Sequence, residues 1–376
     1  MRLIGLDVLR FFAASWVIFS HTGVFPKAMG IVSHVHGPFG TVFERVMGSG
    51  WVAVEIFFVL SGFLVSGLLF QEARASGSVS PGRFLVRRGF KIYPAFWIMT
   101  LGMVVWRLCR HDYFRPGALW AELLYYQNYV EGLCFHTWSL AVEEHFYFLL
   151  AGTFYVWRWR VMGGAARNFN FIPDLVLAVA VLCLVARAVT WCVCLDYTVQ
   201  NQHWYLRSDL AVIDALFFGV LLAHWWYNRW DDGTKRKIIA WRWGFVLAGV
   251  LLLLPGVAPV MDLQWFNIFG FILIYLGAGC LLLGSLALSF TKPLFFIRWA
   301  AKLGEYSYSV YLWHLLVGLV LFPLVTVARD DLAGCLLNFT IYFVLCWVAG
   351  IALAWAIEFP VLRLRDRWFP SLARVR

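Results

Sequence analysis

The chain has 376 residues, 62% hydrophobic and only 14% charged, with a net charge of +10 and a mean hydropathy of +0.75. Soluble domains run near 45–50% apolar and about 25% charged. This composition therefore excludes a water-soluble globule, whose surface would be widely greasy, and a disordered chain; it describes a polytopic membrane protein.

A spanning helix needs roughly 20 mostly apolar residues. In chain order, ten segments qualify: about 4–24, 50–71, 91–109, 138–158, 173–195, 209–228, 241–260, 264–290, 303–327 and 333–359. The stretch 117–130 is apolar but too short to cross, and reads as an interfacial or re-entrant piece. Long unbroken apolar runs without two-residue alternation exclude an outer-membrane barrel. The expected fold is all-α: one transmembrane domain over 1–376, with ten helices around a polar cavity. Arg10 interrupts the first apolar run and no small-residue cleavage site follows, so this run is not read as a cleavable signal. Most of the eight cysteines lie inside apolar runs. Cys109 and Cys134 flank one outer loop, where a disulfide and two free thiols are both open readings. No zinc-type spacing occurs, and no metal site is expected.

The basic residues are distributed unevenly between alternate loops. One set of segments holds 22 Lys and Arg, the opposite set seven (Lys27, Arg45, Arg107, Arg110, Arg115, Arg207 and Arg329), and two (Arg10 and Arg187) lie within spans. Cytoplasmic loops carry such an excess. Both termini are therefore expected in the cytoplasm, with the protein multi-pass in the inner membrane. The net charge then reflects topology and attraction to anionic lipid, and no nucleic-acid partner is expected.

Ionisable groups inside spans are costly and usually face a cavity or one another. In the first span Asp7 and Arg10 are three residues apart, hence neighbours on one face. His21 follows Arg10 by eleven residues, about 20° past three full turns and roughly 16 Å further along the same face. This is either a polar route through the protein or a buried Asp7–Arg10 pair with an interfacial histidine. Glu55 lies in the outer third of the second span. Glu143 and Glu144 lie in the outer half of the fourth, with Ser139 one turn earlier. By depth His21, Glu55 and one of the two glutamates share an outer layer, and a carboxylate beside a histidine is a base-and-orienter arrangement. Ser307, Tyr311 and His314 share one face of the ninth span, either lining the cavity or hydrogen-bonding within the core. Arg187 in the fifth span has Asp209 and Asp214 of the sixth as potential ion-pair partners. Arg83, Arg87, Arg88 and Lys91 precede the third span. They either enforce topology or hold a phosphorylated ligand, since guanidinium forks suit phosphate oxygens.

At these segments the sequence resembles membrane acyltransferase family 3, the bacterial polysaccharide and antibiotic O-acyltransferases. 'LDVLRFFAASWVIFSH' is similar to the family's opening Arg-x10-His signature, carried by Arg10 and His21. 'GWVAVEIFFVLSGFLV' resembles its G-V-[DE]-x-F-F segment, with Glu55 at the acidic place. 'RRGFKIYP' resembles R-R-x-x-R-I-x-P, with Lys91 standing where the family has a third Arg. 'WSLAVEEHFYF', 'YSYSVYLWH' and 'IEFPVLRLRDR' resemble three further segments in the family's order. The stretch from about 160 to 300 matches mainly in hydropathy.

The resemblance implies transfer of an acyl group, commonly acetyl, from acyl-CoA to a hydroxyl of a sugar, glycan or similar acceptor beyond the membrane. It implies His21 as the base, Glu143 or Glu144 as its orienter, and Arg87, Arg88 and Lys91 on the CoA phosphates. Arg10 would hold the pantetheine arm or steady Asp7, and Glu55, Ser139, Ser307, Tyr311 and His314 would line the cavity. Some family members carry a C-terminal esterase-like domain; the stand-alone form is expected here. The alternative is a transporter or flippase using intramembrane Arg, His and Glu for substrate or protons.

Overall fold

The computed structural model describes residues 3–22, 37–162, 168–193, 208–257, 265–289, 294–327 and 331–370. Lys27, Arg207 and Arg329, and the ends of several expected spans, lie outside these residues. The described residues form helices and connecting turns, with no strand. In chain order the helices are α1 (Ile4–His21), α2 (Gly37–Gly48), α3 (Gly50–Ser76), α4 (Pro81–Cys109), α5 (Pro116–Leu123), α6 (Trp138–Met162), α7 (Ile172–Val193) and α8 (Asp209–His224). They continue with α9 (Asp232–Ala240), α10 (Arg242–Leu253), α11 (Phe271–Leu288), α12 (Phe295–Gly304), α13 (Ser307–Val320), α14 (Phe322–Val325), α15 (Leu332–Leu353) and α16 (Phe359–Trp368).

All ten expected spans fall on helices. Among the described residues seven helices are long and apolar enough to cross a membrane, and α9 with Arg242–Gly256, bent by 65°, makes an eighth if the pair is one span. The other two depart from a plain span. Helix α6 has 25 residues but carries Glu143, Glu144 and His145 in its first half. Helix α13 has only 14. Polar and short helices are carried where other helices surround them, and most of α13 and of the first half of α6 is buried. The 117–130 stretch contains the eight-residue α5 followed by turns, too short to span. Cys109 and Cys134 are free thiols, the former exposed and the latter buried.

Helix association in lipid relies on close backbone approach at small residues. At the crossing of α3 and α8 a Cβ on Gly62 would sit 1.9 Å from the Leu216 carbonyl oxygen, and one on Gly219 would sit 2.3 Å from that of Val59. Only glycine fits either place. A turn of π-helix, Ala354–Glu358, joins α15 to α16 in a continuous helix of 37 residues. Such turns shift the helical phase and often occur at functional positions; here the turn brings Glu358 inward. By chain alternation the basic loops gather at one end of the bundle, called here the basic end.

Candidate active site

Three histidines meet toward the opposite end. Helix α1 ends on His21, α13 supplies His314 two turns from its start, and the segment preceding α6 supplies His136. His21 Nδ1 lies 2.7 Å from His314 Nε2, with the rings stacked at 8° and 4.9 Å between centroids. The His136 ring stands edge-on to His314 at 4.8 Å.

The neighbours assign the protons, since hydrogens are inferred from the network. His314 Nδ1 lies 2.6 Å from the Tyr311 carbonyl oxygen. A carbonyl only accepts, so Nδ1 carries the hydrogen and Nε2 the lone pair. His21 Nδ1 then donates to His314 Nε2, which places the lone pair of His21 on Nε2. His136 Nε2 donates to the Leu312 carbonyl at 3.2 Å. Burial, with His314 beside it, holds the His136 imidazole well below its usual range, so it stays neutral. The Tyr311 hydroxyl donates to the His136 carbonyl at 2.7 Å, and Ser139 Oγ donates in turn to the Tyr311 oxygen at 2.6 Å.

A polar seam continues from there toward the basic end. Ser307 is buried one turn below Tyr311. The Tyr93 hydroxyl donates to Glu144, and Arg88 donates to the Tyr147 hydroxyl at 2.6 Å. Tyr147 reaches Ser61 Oγ at 2.9 Å. Glu143 and Glu144 both lie within electrostatic reach of Arg88. Lys91 pairs with Glu358 at 3.7 Å, whose other oxygen accepts from Ser309 at 2.7 Å. Arg10 pairs with Asp7 at 3.0 Å and lies within electrostatic reach of Lys91. Arg87 binds Asp366 at 3.0 Å and the Phe369 carbonyl. Among the described residues no group of three His, Cys, Asp or Glu side chains is placed to share a metal ion.

The structure thus brings together His21, His314, Tyr311 and Ser139, and separately Arg88 with the two glutamates. The residue at His21 Nδ1 is His314, where the sequence suggested a glutamate. Glu144 is instead tied to Tyr93. Glu55 sits in another buried cluster, within reach of Asp214 and Arg187, where Arg187 Nη2 meets both Asp214 oxygens at 2.6 Å. Asp209 pairs with His145 at 2.7 Å rather than with Arg187. Sequence reasoning missed His136, Tyr93 and Tyr147. The only available signal was their place beside or within the matched segments 'HTWSL', 'IYP' and 'FYF'.

The segment carrying His136 is held by Glu122, which accepts from the Cys134 N–H at 2.9 Å and from Thr137 Oγ1 at 2.9 Å. Burial nevertheless pushes this carboxyl from its ordinary 4.5 up to about 7. A raised native value means that the folded protein binds the extra proton. The stabilisation is complete below about 4.5 and is lost as pH rises through about 7. We expect the unfolding temperature of the native protein, relative to Glu122→Gln, to fall across that window. The difference is on the order of 3 kcal/mol at most. A pH-independent difference between the two proteins would contradict the burial argument.

Comparison with known proteins gives the chain's family. Residues 3–359 match the acyltransferase 3 family model, described as an acyltransferase domain. The chain is 23% identical over 321 residues to the peptidoglycan O-acetyltransferase OatA of Listeria monocytogenes serovar 1/2a (strain ATCC BAA-679 / EGD-e), covering 79% of this chain and 49% of that protein. It is 26% identical over 344 residues to the O-acetyltransferase OatA of Staphylococcus aureus (strain NCTC 8325 / PS 47), covering 82% of this chain and 49% of that protein. The chain spans about half the length of these curated relatives. No solved structure matches it. With the family model covering nearly every residue from the first helix to the last, the chain belongs to the acyltransferase 3 family.

Proposed function

We propose that the protein is an integral-membrane O-acetyltransferase that takes acetyl from cytoplasmic acetyl-CoA and places it on a sugar or glycan hydroxyl at the far face of the inner membrane. The observation that carries this reading is the paired His21 and His314, joined by polar residues to the Arg88–Lys91 end. A hydroxyl is a weak nucleophile at its own pKa and needs a base. His21 Nε2, with its lone pair, takes the hydroxyl proton as the oxygen attacks the thioester carbonyl. The C–S bond then breaks, the acetyl ester forms, and the proton passes to the CoA sulfur. His314 holds the His21 tautomer and accepts a charge-assisted hydrogen bond from the imidazolium.

The donor arm would run along the seam. Arg88 Nε and Glu144 Oε2 are both buried without a partner, one donor and one acceptor, as the amides of a pantetheine chain require. Arg87, Arg88 and Lys91 are assigned to the nucleotide phosphates, with Arg10 near the arm, and both termini to the cytoplasm. Glu55 and its Arg187 neighbour are assigned a structural part.

The test is the appearance of free thiol from acetyl-CoA with the purified protein in detergent, together with alkali-labile acetyl on an added chitooligosaccharide. The expected result is acceptor-dependent thiol release. Intact acetyl-CoA, with the oligosaccharide or protons transported in proteoliposomes, would favour the transporter reading instead.

A further inference from the structure

A further cavity lies at the basic end, apart from His21, His136 and His314. It has a volume of about 300 Å³ and opens between the ends of α3, α6 and α8, lined among others by Arg74, Arg229, Asn168, Asn170 and His224. Helix α3 ends at Gly77, which takes a left-handed conformation with φ 70° and leaves Arg74 on the last turn. Helix α8 runs on into a π-helical turn, Trp225–Arg229, which sets Asn228 and Arg229 at the rim. The Trp157 indole donates to the Asn168 carbonyl at 2.9 Å, fixing the third wall.

The polar side chains of the lining are those of two arginines, three asparagines, His224 and Trp157, with no carboxylate among them. Among the described residues neither Arg74 nor Arg229 has an ion-pair partner. The nearest acidic residues in sequence are engaged elsewhere: Glu72 accepts from the Ser80 N–H at 2.9 Å, and Asp231 accepts from the Thr234 N–H at 2.8 Å. His224 is 1% exposed, and Asn228 Nδ2 stands 3.4 Å from its Nδ1. An amide nitrogen only donates, so His224 Nδ1 accepts and Nε2 carries the hydrogen. That Nε2 is buried without a partner. An unpaired buried donor is costly, and here it lies within electrostatic range of the Arg229 guanidinium.

We propose that this cavity binds a phosphate group. Two guanidinium forks suit phosphate oxygens, the carboxamides and the His224 N–H supply further donors, and the volume leaves room for the group that bears the phosphate. The phosphate belongs either to an anionic phospholipid of the adjacent leaflet or to a soluble phosphomonoester. The inference concerns binding alone and does not rest on the acetyl-transfer reading.

The test is thermal unfolding of the purified full chain in neutral detergent, titrated separately with dioleoylphosphatidylglycerol and with adenosine 3′,5′-bisphosphate. Near saturation one of them is expected to raise the unfolding temperature by roughly 2–4 °C, and the one whose effect is lost in the cavity variants below identifies the source, since the bisphosphate could also stabilise the protein through the donor site. Arg74→Gln/Arg229→Gln should weaken that ligand at least about tenfold, the scale of losing charge-assisted contacts. Both arginines are exposed, so this variant is expected to fold. His224→Phe, which fills the same space without the N–H, should shift affinity in the same direction. Lys235→Gln/Arg236→Gln removes equal charge from the same end outside the cavity and should leave affinity unchanged. The proposal is overturned if neither probe stabilises the protein, if the cavity variants bind as the native chain does, or if the control loses as much affinity as they do.

Discussion

His21→Ala is expected to lower acetyl-transfer turnover about 100-fold or more, the usual scale for a general base, while the protein still inserts and still binds acetyl-CoA. The expectation follows from the proton assignment. The Tyr311 carbonyl fixes His314 Nδ1–H, His314 fixes His21 Nδ1–H, and the lone pair falls on His21 Nε2. Removing the ring removes the base but not the packing of α1, whose buried side is formed by Leu6, Ala13, Ala14, Val17 and Ile18. His314→Phe keeps a ring of similar shape but loses the acceptor for His21 Nδ1–H. It should lower kcat with little change in KM for acetyl-CoA, and should move the acidic limb of the pH–rate profile, which a purely structural role would leave in place. Near-normal turnover in His21→Ala would reject the base assignment.

Arg187→Met is expected to produce the largest stability loss, roughly 3–5 kcal/mol by analogy with other broken buried pairs. Arg187 and Asp214 are 3% and 2% exposed. The guanidinium grips both Asp214 oxygens, donates from Nε to the Ala211 carbonyl at 2.7 Å, and lies 5.0 Å from the centre of the Phe271 ring. It thus ties α7 to α8 and α11. Without it Asp214 and Glu55 remain as two buried carboxylates within mutual electrostatic reach, with no cation between them. Burying a charge pair is itself expensive, so removing both charges should cost less than removing one. Arg187→Met/Asp214→Leu should therefore recover much of the loss in thermal unfolding. A double variant no more stable than the single would show that packing, not the uncompensated charge, sets the cost.

The helices were legible because apolar runs of this length have few other fates in a membrane. Their partners were not legible. Periodicity fixes which residues share a face of one helix, but not which face of another helix lies opposite. His21 and His314 are 293 positions apart, and nothing local to either segment encodes their contact. His136 comes from a turn segment, where no periodicity exists to read. The π-helical turn at Ala354–Glu358 was equally hidden: a regular helix would give Glu358 a different phase, and the observed turn is what delivers it to Lys91 and Ser309. The two adjacent glutamates did separate as a 100° step implies, with Glu144 buried and Glu143 half-buried. Glu144, however, faces Tyr93 on α4. The 241–260 run reads as one plain span, yet its helix meets α9 at 65°, because the polar 229–240 stretch packs at the basic end rather than continuing the crossing.

The central claim is transfer between faces: a donor held at the basic end and an acceptor modified at the histidine end. The most direct measurement places radiolabelled acetyl-CoA on one side of oriented proteoliposomes and a chitooligosaccharide on the other. With acetyl-CoA at the basic end and the acceptor opposite, label should appear on the oligosaccharide as an alkali-labile ester, and His21→Ala should abolish it. With the two exchanged, none should appear. Label that forms only when donor and acceptor share one face, or equally in both orientations, would contradict the account.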